Sequence, residues 1–198
     1  SISSKSARKI VLFAGRLIEK KGVYDLVRSW KNVSIKHEDY ELMIVGRDGK
    51  NNIGKSVLAE LKKIMYKESI KNITFKDQIN IEQLRKLFMV AEICVFPSHS
   101  EAFSMVVLDA LAHGKPTIYS KIGPGYEIIE PGVNGLLSDP KNPDSLEKCI
   151  LDLIENQNLK KMFSKNSLKT IKNKFSIEIT GKQNLLFYSQ CIEDYRKN

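Results

Sequence analysis

No apolar run in these 198 residues approaches the roughly 18–20 needed to cross a bilayer as a helix. The first ten residues, SISSKSARKI, have no apolar centre of the signal-peptide kind. They also lack an initiator Met, which implies a piece of a longer chain. Cysteine is scarce: Cys94, Cys149 and Cys191 are odd in number and lack metal-type spacing, the usage of reduced thiols in a cytoplasmic protein. There is no Asp-x-Asp pair and no His/Cys cluster, so no metal is expected. Internal repeats and low-complexity linkers are absent too. Acidic residues are missing from Asn156 to Ile177, where Lys160, Lys161, Lys165, Lys169, Lys172 and Lys174 all fall, within a net charge of +9. Such a segment suits an anionic membrane surface, nucleic acid, or simply water. Only Phe163 and Phe175 lie in it, too far apart to interleave with the lysines as stacking platforms, so nucleic acid is not the expected partner.

What is present is a repeated alternation. Short apolar runs at 10–15, 40–46, 72–76, 93–97 and 116–120 read as strands, with a sixth at Leu136 and Leu137. Between them, 23–33, 57–68, 81–91 and about 104–113 carry apolar residues at helical spacing, and 142–156 follows as a capped helix with two more behind it. The stretch 123–135 reads as a loop. Strands alternating with crossover helices predict an α/β fold: a Rossmann-like doubly wound parallel sheet forming a single domain. In such sheets ligands lie beyond the carboxyl ends of the strands. Four loops there are chemically loaded: GRLIEKKG, GRDGKNNIGKS, KDQIN and SHSEAFS.

The second of these loops spells G-x-x-x-x-G-K-S, from Gly49 to Ser56, the form of a phosphate-cradling P-loop. The match opens two residues late, after Arg47 and Asp48. No apolar strand ending in a magnesium-holding Asp follows it; ICVFPS ends in Pro and Ser. A surface loop that opens a helix is the better reading, with an NTPase as the lesser alternative.

The stretch 96–120 carries more. A strand stops at Pro97, a polar loop bears Glu101, and a helix starts near Ser104, its free N–H groups and positive dipole end suited to phosphate. Asp109 interrupts the apolar stripe of that helix. Carboxylates flanking a phosphate site suit the vicinal hydroxyls of a sugar nucleotide. Arg16 and Lys21, just beyond the first strand, supply cations for a departing diphosphate. His99 borders the same cleft, and His113 reads as structural.

Three motifs, in order, resemble the C-terminal, donor-binding domain of retaining GT-B glycosyltransferases of family 4: GRLIEKKG, PSHSEAFSMVVLDALAHGKPTI and EIIEPGVNGLL. The resemblance runs from about Ile10 to Glu155. It implies that Arg16 and Lys21 bind a donor diphosphate, that Gly15, Gly46 and Arg47 also belong to the donor site, and that Asp77 in the KDQIN loop lies near the base. It implies hydroxyl contacts from Glu101, phosphate capping by the backbone around Ala102, Phe103, Ser104, Met105 and Val106, and a ribose contact from Asp109. Glu101, Arg16 and Lys21 are then the catalytic set, acting on a UDP- or GDP-sugar without metal or other cofactor. The acceptor would attack from the face the diphosphate leaves. Ala102 stands where the family has Gly, and Asp109 where it has Glu. The resemblance also explains the Gly49–Ser56 match, because KNNIGKS reads as an insertion after the family's Gly-rich turn.

A complete enzyme of this kind has a second, N-terminal domain that carries most of the acceptor site. The expected organisation is therefore a linker remnant at 1–9, a nucleotide-sugar domain at 10–175, and a helix at 176–198 that crosses to the missing domain. Leu185, Leu186 and Ile192 are expected to be exposed as a result. The implied role is sugar transfer to a bacterial surface glycan or lipid-linked acceptor, in the cytoplasm or at the inner membrane face; a non-catalytic nucleotide-binding subunit is the alternative.

Overall fold

The computed structural model describes residues 8–197. Six strands form one all-parallel sheet: β1 (Lys9–Ala14), β2 (Tyr40–Val45), β3 (Ile73–Lys76), β4 (Ala91–Phe96), β5 (Thr117–Ser120) and β6 (Leu136–Ser138). Their spatial order is β3-β2-β1-β4-β5-β6. Eight helices accompany them: α1 (Val23–Lys36), α2 (Val57–Lys67), α3 (Ile81–Val90), α4 (Met105–Ala112), α5 (Gly125–Ile128), α6 (Pro143–Glu155), α7 (Gln157–Thr170) and α8 (Ile177–Lys197). The linker expected at 1–9 lies outside the described residues except for Arg8 and Lys9, and Lys9 already belongs to β1.

The strands read as unbroken apolar runs because both faces of the sheet are covered. Along β1, Val11 and Phe13 join the core under α1, α2 and α6, with Leu26, Trp30, Leu61 and Ile150. Leu12 and Ala14 point the other way, into the core formed with Phe88 of α3 and Val107 and Leu111 of α4. The period of two along a strand thus feeds two cores at once.

Three local features differ from the sequence reading. A single 3-10 turn, Glu19–Lys21, follows β1, and α5 interrupts the expected loop at 123–135. Both are too short to show a helical period. α7 ends in one π-helical turn, Ile171–Phe175, before α8. The basic segment is also not one uniform face. Lys160 is buried, its ammonium paired with Glu92 and 3.1 Å from the Tyr40 hydroxyl. Lys174 donates to the Glu127 carbonyl. Lys161, Lys165, Lys169 and Lys172 remain on the outside, without partners among the described residues. α8 buries no residue and exposes Leu185, Leu186, Phe187, Tyr188 and Ile192.

Candidate functional site

The strand order reverses between β1 and β4, and a crevice opens there beyond the carboxyl ends, as doubly wound sheets require. Its floor is made where β1 and β2 end. Gly46 has φ 154°, and a Cβ on it would lie 1.9 Å from the Gly15 carbonyl oxygen, so only glycine lets the two chain ends close up. Beyond this floor Leu17 N–H donates to the Arg47 carbonyl, so Arg16 and Arg47 leave the sheet side by side. Both guanidinium groups are exposed and unpaired among the described residues.

The cleft above the floor has a volume of about 480 Å³ and is lined by Gly15, Arg16, Lys21, Gly46 and Arg47, with Val106 at its far wall. Ala14, Val45, Gln78, Ile79 and Leu84 complete it. Gln78 and Ile79 belong to the KDQIN loop, of which only Asp77 was named individually from the sequence; Leu84 was not singled out, although the Asn80–Gln83 spacing announces the capping box that starts α3 beside it. Asp77 does not line the cleft; its carboxylate accepts from the Gln78 N–H instead.

Lys21 is placed by the 3-10 turn, which ends at Gly22 in the left-handed region, φ 70°. A Cβ there would lie 2.0 Å from the Pro97 carbonyl oxygen, so glycine lets the turn press onto the loop after β4. That contact brings the Lys21 ammonium onto Glu101, and the two form an ion pair. The basic and acidic residues named from the first and fourth loops are thus joined across the crevice.

Ser104 occupies the N-cap of α4 but makes no side-chain cap. The N–H groups of Met105 and Val106 find no backbone acceptor, which leaves the start of this helix free to bind an anion. Beneath it lies Tyr119 of β5, fully buried, with no partner for its hydroxyl among the described residues. Burial, and then the charge of Glu101, push the phenol up to about 12, against the opposing pull of the Ser104 hydroxyl. Phe103 is exposed and packs against Phe175, ring centroids 6.3 Å apart. Ala102, standing where the family has Gly, does not adopt positive φ; among the described non-glycine residues only Ser69 and Asn72 do. Asp109 is half-buried one turn along α4, outside the cleft lining, and its carboxylate has no hydrogen-bond partner among the described residues.

His99 does not face this cleft. Its ring turns to Asp25 and borders a second hollow of about 820 Å³ on the other side of the 3-10 turn. His113 closes α4, its Nδ1 2.7 Å from the Asp109 carbonyl oxygen, a structural role.

The Gly49–Ser56 loop folds back on itself. Lys50 and Ser56 bridge, and Asn51 N–H donates to the Lys55 carbonyl. The Ser56 hydroxyl donates to Asp48 and accepts from Ala59 N–H as the cap of α2. It is a helix-opening turn, with its hydroxyl already engaged and Lys55 in solvent.

Among the described residues no group of three or more His, Cys, Asp or Glu could hold a metal, and no helix is long and apolar enough to cross a membrane. The three cysteines are unpaired.

The chain is 29% identical over 194 residues to an uncharacterized glycosyltransferase of Methanocaldococcus jannaschii, covering 98% of this chain and 48% of that protein. Sucrose-phosphate synthase from Thermosynechococcus elongatus superposes with a TM-score of 0.79 at 27% identity, over 94% of this chain and 46% of its own. HepE from Anabaena, solved in complex with UDP-glucose, shares the fold with a TM-score of 0.79 at 20% identity, over 94% of this chain and 50% of its own. The chain therefore spans about half the length of the proteins it matches. Residues 1–170 match the glycosyl transferases group 1 family, and with that match, the all-parallel sheet and the three motifs in place, the chain belongs to this family of glycosyltransferases.

Proposed function

We propose that this domain binds the nucleoside-diphosphate sugar of a retaining, metal-independent glycosyltransferase, with the diphosphate between Lys21, Arg16 and the start of α4. The observation that carries the reading is the Lys21–Glu101 pair at the switch point, beside a helix N-terminus whose first N–H groups have no backbone acceptor, and above a Tyr119 hydroxyl without a partner, among the described residues. Arg16 and Lys21 stabilise charge as it builds on the departing diphosphate. Glu101 holds hydroxyls of the transferred sugar, and the free Asp109 carboxylate reaches the ribose. Gln78, Ile79 and Leu84 offer a partly apolar wall to the base. HepE, of the same fold, was solved with UDP-glucose, which supports a nucleotide sugar as ligand and puts UDP ahead of GDP as the first nucleotide to test.

Acceptor contacts come from a second domain. α8, with its exposed Leu185, Leu186 and Ile192, is the element that would pack on it, leaving 10–175 as the donor unit. The four outward lysines of α7 and its end, with Leu168 and Met162 also exposed, suit an anionic membrane surface at the inner face of a cell and a surface-glycan or lipid-linked acceptor. Binding to vesicles rich in anionic lipid, lost in Lys161→Glu/Lys165→Glu and in high salt, is the check on that surface.

The donor site is tested by thermal unfolding against UDP, GDP, ADP, CMP and ATP, with and without magnesium. A nucleotide at ten times its Kd adds about 1.4 kcal/mol, or roughly 3–6 °C. A metal-independent shift with one diphosphate, lost in Arg16→Ala, supports the reading. A shift confined to ATP with magnesium and lost in Lys55→Ala overturns it. Transferase activity in the two-domain protein, lost on Glu101→Ala, separates an enzyme from a non-catalytic subunit.

A further inference from the structure

The turn that carries Lys21 and the loop that carries Glu101 touch through more than their ion pair. Gly22 lies against the Pro97 carbonyl. His99 N–H donates to the Lys20 carbonyl at 2.8 Å. The His99 ring then reaches past the turn, its Nε2 2.5 Å from Oδ2 of Asp25 in the first turn of α1. His99 therefore holds the residue just before Lys21 with its backbone and the residue four beyond it with its side chain. Lys21 is bracketed.

The other charges around the imidazole offer no rival partner of this kind. In the hollow that His99 borders, Glu60 is engaged by Tyr24 and Asn51, while among the described residues the side chains of Lys20, Arg28 and Lys50 are unpaired cations and the Glu19 carboxylate makes no hydrogen bond. Asp139, on the far side of Asp25, is held by Lys121 at 2.6 Å. Asp25 is thus the carboxylate committed to His99.

We propose that His99 is a positioning residue: through the Lys20 carbonyl and the Asp25 carboxylate it fixes the 3-10 turn so that Lys21 stands ready for a diphosphate. His99 lines neither the cleft floor nor its walls, so the effect passes through Lys21 and needs no contact with ligand. The physical ground is preorganisation. A turn ordered in advance by protein contacts loses less entropy when an anion binds, and the affinity gained is that saved loss. This inference rests on the donor-site reading above.

The test is calorimetric affinity of this chain for UDP, GDP and ADP, continued with whichever binds tightest. It compares the parent with His99→Ala, Asp25→Ala, the double variant, His99→Gln and Lys21→Ala. His99→Ala and Asp25→Ala should each weaken binding about three- to tenfold, and the double variant no further than the worse single one, as for residues acting as one unit. His99→Gln keeps an N–H donor for Asp25 and should restore most of the loss, which a merely space-filling role would not produce. Parent-like affinity in His99→Ala alongside a clear loss in Lys21→Ala overturns the positioning role alone. Additive losses, or no rescue by Gln, overturn it as well. Parent-like affinity in Lys21→Ala overturns the donor-site reading itself, and the positioning role with it.

Discussion

Lys21 and Glu101 form an ion pair across the point where the strand order reverses, with side chains only 23% and 16% exposed. Each is the partner the other would give up to a ligand. On the proposed donor-site reading, a diphosphate would compete with Glu101 for the ammonium, and sugar hydroxyls would then take the released carboxylate. Glu101→Gln should therefore tighten binding of the bare nucleoside diphosphate, by about 1 kcal/mol or fivefold for a partly shielded pair. The same variant should depress transfer in the two-domain enzyme. Titration calorimetry decides the first part; weaker UDP binding in Glu101→Gln would mean the pair orders Lys21 more than it competes for it.

The Gly49–Ser56 loop gives a prediction of the opposite kind. Ser56 caps α2 and is tied to Asp48, so Ser56→Ala should cost about 1 kcal/mol of stability. It should leave nucleotide affinity unchanged, as should Lys55→Ala. A melting curve and one binding isotherm per variant suffice, and a P-loop would give the reverse pattern.

Much of this architecture was legible in the sequence because it rests on repetition. Six apolar runs separated by helical spacings give strand count and sheet type, and the motifs after β1 and β4 name Arg16, Lys21 and Glu101. What was hidden depends on direction. Nothing in the order of residues says that His99 turns to Asp25, that Asp77 binds its own neighbour's N–H, or that Lys160 alone of six lysines points inward to Glu92. The 3-10 turn at Glu19–Lys21 and the single turn of α5 fall below any periodic signal, yet the first of them sets Lys21. Glycine marks the end of the first, at Gly22, and the start of the second, at Gly125.

Tyr119 offers a test of sign. Its hydroxyl is buried without a partner among the described residues, and an unsatisfied buried group costs about 1–3 kcal/mol. Tyr119→Phe should therefore raise the melting temperature. A loss of stability instead would show that the neighbouring Ser104 hydroxyl bonds it. If Tyr119 supports a bound phosphate through Ser104, the same variant should also weaken diphosphate binding while the fold gains.

At the opposite end of the sheet, Glu92 receives Lys160 and the Tyr40 hydroxyl, the latter at 2.7 Å. Burial pushes its carboxyl upward, but the Lys160 ammonium and the Tyr40 hydroxyl more than offset this and hold it below the usual glutamate range. A carboxylate with a depressed folded pKa contributes stability that is complete above its unfolded value and is lost as pH falls through the folded one. Acid should thus strip this contribution as pH falls from the unfolded glutamate value, about 4.3, through the lower folded one. Glu92→Gln should be less stable than the parent at neutral pH and should converge toward it in acid. Lys160→Met should also be less stable at neutral pH, by about 2–3 kcal/mol, because it leaves the carboxylate partly buried and uncompensated. That deficit too should shrink as Glu92 protonates. Urea unfolding of the three proteins between about pH 3 and pH 7 reads all of this directly; parallel curves across that window would mean that the Lys160–Glu92 pair contributes no net stability.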